Sequence, residues 1–97
     1  MDIRAEAIQC TADTLIRTGE GLVYALNIEA SGVGAGDLIQ LRDAVAAGAG
    51  TVLLTYVCAG NDTHNFCPCI PFVCRTGIFV DITLAGGGSA FVTVVYS

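Results

Sequence analysis

Asp37-Leu-Ile-Gln-Leu-Arg-Asp-Ala-Val-Ala-Ala47 admits two readings, and the fold turns on which one holds. As a helix, Asp37 and Gln40 stand at capping-box spacing, where the first side chain accepts from the fourth residue's amide and the fourth reaches back. Leu41, Ala44 and Val45 then recur at near-helical intervals, and Gly48 falls where helices often end in a left-handed residue. As a strand, Leu38–Asp43 is followed by a loop of alanine and glycine. Local rules lean to the helix over Asp37–Ala47; the strand keeps the whole chain all-β.

Outside this stretch the pattern is strand-like throughout. Glycine breaks the chain at Gly19 and Gly21, Gly32–Gly36, Gly48 and Gly50, Gly60–Asp62, and Gly86–Gly88. The short segments between are rich in Val, Ile, Leu, Thr and aromatics, which reads as a sandwich or barrel built as one domain over residues 1–97. Alternation assigns faces. Leu22, Tyr24, Leu26, Ile28 and Ala30 share one side of their strand; so do Val52, Leu54, Tyr56 and Cys58, then Ile78, Val80, Ile82 and Leu84, and finally Val92, Val94 and Tyr96. The opposite sides are apolar too, at Leu53, Val57, Phe79, Phe91 and Val95. These five are the candidate self-association surface, unless loops shield some of them or the faces are reversed.

Composition points the same way. The 97 residues are 54% hydrophobic and 13% charged. A domain this small buries only about two-thirds of the surface its unfolded chain exposes, so part of the apolar content is expected in subunit interfaces. The apolar run Val52–Ala59 is far short of the ~20 residues of a membrane-spanning helix, which argues against a membrane partner. The opening MDIRAEAIQC has no apolar core, so no secretory signal is expected. Net charge is −5, lysine is absent, and the arginines Arg4, Arg17, Arg42 and Arg75 are scattered in sequence. Phosphate neutralisation needs clustered cations, so nucleic acid is not an expected partner.

The five cysteines are concentrated: Cys58, Cys67, Cys69 and Cys74 surround the only histidine, His64, while Cys10 stands apart. Three readings stay open. The thiols are free and buried as small hydrophobes; or one or two disulfides pin the segment, with Cys10 the odd thiol; or His64 and three of the four cysteines hold a structural zinc, although C-x-C-x4-C is not a usual knuckle spacing. Catalysis has little to stand on. A pair of Cys67 or Cys69 with His64 is the one nucleophile–base dyad available, and no oxyanion-hole motif accompanies it. No enzyme activity and no cofactor are expected.

Several pieces, in order, carry a family resemblance: Ala12-Asp-Thr-Leu-Ile-Arg-Thr-Gly19, Gly21-Leu-Val-Tyr-Ala-Leu-Asn-Ile28, Leu38-Ile-Gln-Leu-Arg-Asp43, and Gly50-Thr-Val-Leu-Leu54. Pro71-Phe72, Thr76-Gly77-Ile-Phe-Val-Asp-Ile82 and Ala90-Phe-Val-Thr-Val-Val-Tyr96 complete the set. Together they resemble small virion structural proteins of tailed bacteriophages. The resemblance implies an antiparallel jelly-roll-like β-sandwich of about 7–8 strands, which turns the reading of Leu38–Asp43 to a strand. It further implies a capsid decoration (cement) protein, made in the host cytoplasm and placed on the capsid surface. Its partners would be copies of itself, as a homotrimer, and the major capsid protein. A head-fibre or tail module that binds host glycan or receptor is the alternative. The Cys58–Cys74 segment departs from the family pattern, so no role carries over to it.

Overall fold

A computed structural model of the chain describes residues 5–31, 37–58, 61–84 and 88–97. Arg4 and the glycine turns expected at 32–36, 60 and 86–87 lie outside the described residues. Nine strands and no helix are present among them: β1 Glu6–Cys10, β2 Thr14–Thr18, β3 Gly21–Ser31, β4 Leu38–Asp43, β5 Thr51–Val57, β6 Asp62–Phe66, β7 Phe72–Cys74, β8 Gly77–Thr83 and β9 Ser89–Tyr96. Every pairing is antiparallel. One sheet runs β1-β9-β3-β6 with β7 also on β3, and the other runs β2-β8-β4-β5. If β6 and β7 are taken as one interrupted strand, eight positions remain, and their order is that of a jelly roll.

Leu38–Asp43 is therefore a strand, and the capping-box pattern misleads. β4 is central, paired to β8 on one side and β5 on the other, so both of its backbone edges are satisfied. Its period is two: Ile39 and Leu41 are fully buried, whereas Leu38, Gln40 and Arg42 turn outward. Burying each of those two aliphatic side chains stabilises the fold by roughly 1.5–3 kcal/mol, which outweighs helix preferences of a few tenths per residue. The chain then turns through residues 44–50. Gly50 has φ of 66°, and a Cβ there would lie 2.1 Å from the Asp43 carbonyl oxygen, so no other residue fits.

Three β-bulges correct the face assignments. In β3 the register shifts between Val23 and Ala25, which makes Tyr24 the extra residue. Val23 is buried together with Leu26, Ile28 and Ala30; Leu22 and Tyr24 do not join them. In β5 the shift falls opposite Leu41 and Arg42, and Leu53 is the extra residue. Leu53 consequently packs against the core beside Leu54 and Tyr56, while Val52 is exposed. β2 is bulged at Ile16, which also packs inward. The expected faces of β8 and β9 hold: Ile78 and Val80, and Val92 and Val94, are fully buried between the sheets.

Asp43 joins the two ends of this layer. Its Oδ1 accepts from the backbone N–H groups of Arg75, Thr76 and Gly77 at 3.0, 2.8 and 3.2 Å. Burial alone would raise the Asp43 carboxyl, but those three donors and the Arg75 charge outweigh it and hold the group below its ordinary value.

Candidate functional site

The candidate self-association residues do not share a surface. Leu53 belongs to the core through its bulge. Phe79 faces outward from β8, opposite Leu15 of β2 and Arg42 of β4, yet it is only 6% exposed. The 44–50 turn folds back beside it: Arg42 Nη1 donates to the Ala49 carbonyl at 3.2 Å, and the Gly48 N–H donates to Asp81 Oδ2 at 3.4 Å. Arg42 Nε also pairs with Asp81 Oδ2 at 3.2 Å, and Arg42 Nη2 donates to Gln40 at 2.8 Å. Val57 is 60% exposed at the far end of edge strand β5 on this same sheet. Phe91 and Val95 lie on the opposite sheet, on the outward side of β9.

Two separate outward faces result. On the β2-β8-β4-β5 sheet, Leu15, Val45 and Val52 are exposed around the covered Phe79; Val52, expected on the inner side, is turned outward by the bulge at Leu53, and Val45 lies in the turn after β4. On the other sheet the register aligns Ala7, Val95 and Ala25 in one row, then Gln9, Thr93, Asn27 and Asn65. Phe91, Glu29 and Thr63 form the next row. Asn27 Oδ1 is buried within that surface with no hydrogen-bond partner.

The cysteine segment is not one cluster. Cys58 and Cys74 are buried, as is Cys10, whereas Cys67 and Cys69 are exposed, and all five are free. Burial pushes the Cys74 thiol up to about 11, with the Asp43 charge adding to it. Burial likewise raises Cys58, reinforced by Asp37, and Cys10, where a hydrogen bond to Thr14 works the other way. The buried three are poor nucleophiles and poor metal ligands for that reason. No group of three metal-ligating side chains comes together among the described residues. His64 lies opposite Ile28 in the β3–β6 ladder, with its ring centroid 5.3 Å from Tyr56 and 4.4 Å from Phe66. These rings bring β5 of one sheet beside β6 of the other. Ile70, between Pro68 and Pro71, is 79% exposed; an apolar residue held between two prolines was its only sequence signal.

Described residues also line open clefts, among them two of similar size. One, of about 480 Å³, is lined by Glu29, Ala30, Ser31, Asn61, Thr63 and Phe91. The other, of about 500 Å³, brings together Arg17 and Arg75, which the sequence keeps far apart, with Glu20, Leu22 and Val73. No protein-family model matches the chain, and no curated protein matches it.

Proposed function

We propose that the chain is a phage virion structural protein, a capsid decoration (cement) protein without catalytic activity. It assembles with copies of itself, as a trimer, and bridges neighbouring subunits of the major capsid protein. The observation that carries this reading is a jelly-roll strand order, the architecture the sequence resemblance implies, with apolar side chains at least partly exposed on both outward faces. Leu15, Val45 and Val52 on one sheet, and Phe91 and Val95 on the other, offer opposed faces that a subunit and a shell can cover separately. A net charge of −5 without lysine suits the outside of a shell and opposes contact with packaged DNA. The protein is then made in the host cytoplasm and ends on the capsid surface. Purified particles should carry it in near-stoichiometric proportion to the capsid protein, and the isolated chain should sediment as an oligomer at micromolar concentration. A monomer with only a few copies per particle, confined to the tail, overturns the reading.

One observation favours the head-fibre or tail alternative. The 480 Å³ cleft sets the half-open Phe91 ring beside Glu29, Ser31, Asn61 and Thr63. A flat aromatic face flanked by hydrogen-bonding groups is the kind of surface on which a sugar ring packs. Saturable glycan-array binding that disappears in Phe91→Ala establishes that reading; an array without binders removes it.

A further inference from the structure

Of the described edge strands longer than three residues, only β5 contains no charged residue. Thr51-Val-Leu-Leu-Thr-Tyr-Val57 pairs with β4 on one side, and among the described residues nothing pairs with its other side. The remaining edges are marked: Glu6 stands in β1, Arg17 in the bulged β2 and Asp62 in β6, while Pro71 and Arg75 flank the three residues of β7. Charges, prolines and bulges keep a sheet edge from taking up another strand. β5 has one such device, the bulge at Leu53, which leaves Leu54–Val57 regular.

The direction of each backbone group on that edge follows from its neighbours. The Cys58 N–H donates to the Asp37 carbonyl at 2.9 Å, one step beyond the Leu38–Val57 pair of the β4–β5 ladder. Hydrogen-bonded and non-bonded pairs alternate in an antiparallel ladder. Tyr56 with Ile39 and Leu54 with Leu41 are therefore the bonded pairs, and the N–H and C=O groups of Thr55 and Val57 point away from β4. None of these four groups has a backbone partner among the described residues. The side chains of the same two residues are exposed, Val57 at 60%.

We infer that this edge docks a second copy of the chain, β5 against β5 in antiparallel about a two-fold axis beside Tyr56. Thr55 of each copy then lies opposite Val57 of the other, the register in which every outward N–H and C=O of both residues is bonded. Charge selects the occupant. Each copy carries −5 and repels the other at long range, whereas β5 offers seven residues without a charge to meet the same seven. β-Branched side chains face one another across the new ladder. The contact is separate from the outward faces invoked for the trimer and does not rest on the virion reading.

The test is amide hydrogen exchange of the ¹⁵N-labelled chain by NMR, run beside sedimentation from tens of micromolar to millimolar concentration. Where the chain self-associates, the Thr55 and Val57 amides should exchange about tenfold or more slowly than on dilution. A mixture of ¹³C-labelled and unlabelled copies should give an intermolecular NOE between the two Tyr56 Hα atoms, which a non-bonded pair holds close. Val57→Lys puts a charge on the edge at an exposed position and should weaken the contact about tenfold or more, releasing both amides. Thr55→Pro removes one outward N–H, keeps the bonds to β4, and should release the Val57 amide in the same way. If the proline variant unfolds, Val57→Lys decides. Free exchange of both amides at every concentration overturns the inference. So does protection in a chain that sediments as a monomer, which means that its own residues cover the edge. Protection without the Tyr56 contact assigns the edge to a different strand and overturns it as well. The two amides report on β5 alone, so a failure of the outward-face trimer is read separately, from the mass.

Discussion

Phe79 and Phe91 hold matching places on opposite sheets, each on the outward side of an inner strand, but one is 6% exposed and the other 41%. The strands around them do not explain the difference. What does is the chain that follows β4: the 44–50 turn lies back over its own sheet and is pinned there by Arg42 and Asp81. No such flap is described over β9, where Phe91 faces Glu29 across the ladder. Alternation thus says which way a side chain points. Whether anything lies on top of it is decided by a turn elsewhere in the sequence.

The most direct way to break the comparison is to truncate both rings. Phe79→Ala should cost about 3–5 kcal/mol in urea unfolding, the range for an aromatic ring lost from a packed site. Phe91→Ala should stay within about 1 kcal/mol for the isolated chain, since much of that ring already meets water. Equal losses would mean that the two faces are covered alike.

The next test goes to the root of the flap. Asp43→Asn keeps the shape of the side chain but removes the charge that binds three backbone N–H groups, and should cost about 1–3 kcal/mol at pH 7. Because the folded Asp43 carboxyl titrates below its unfolded value of 3.8, its contribution is complete above that value. It fades as pH falls through the lower folded value. The gap between wild type and variant should therefore narrow on acidification and stay constant from pH 5 to 8. A smaller effect, about 1–2 kcal/mol, is expected for Arg42→Gln, which releases the Ala49 carbonyl and Asp81 together. That variant should also make Phe79 accessible to solvent, seen as increased binding of a hydrophobic dye.

The smallest effect on stability sharpens the contrast between covered and open groups. Maleimide should label Cys67 and Cys69 in the native protein, and reach Cys10, Cys58 and Cys74 only after unfolding. Mass spectrometry reads this directly, with two rapid adducts and then five. Replacing the exposed pair by serine should change stability by less than about 0.5 kcal/mol.

Much of the sandwich was legible beforehand. Glycine placement and alternation located β3, β5, β8 and β9, and the inner sides of β8 and β9 came out as read. What failed did so for identifiable reasons. A bulge such as Tyr24 or Leu53 is one extra residue relative to a partner strand, so it exists only in the pairing and leaves no mark on a single strand. β6, Asp-Thr-His-Asn-Phe, carries too many polar residues to announce itself, and β7 has three residues; both owe their conformation to the long edge of β3. The helix-like spacing of Asp37–Ala47 was real, but a central strand satisfies its backbone and buries Ile39 and Leu41 at once. The arginine cleft was invisible because the turns that build it come from opposite halves of the chain.

The place of β9 has a consequence in time. It follows every other described strand, yet it lies inside its sheet, between β1 and β3. A ribosome must therefore deliver residues through Tyr96 before that sheet can close, and until then β3 shows one long backbone edge with no neighbour. Closure of this layer waits on its last described strand and is slow, as long-range strand pairing generally is. During that interval the β9 of a nearby nascent copy can occupy the same groove, so crowding on a polysome favours exchange of the last strand between chains.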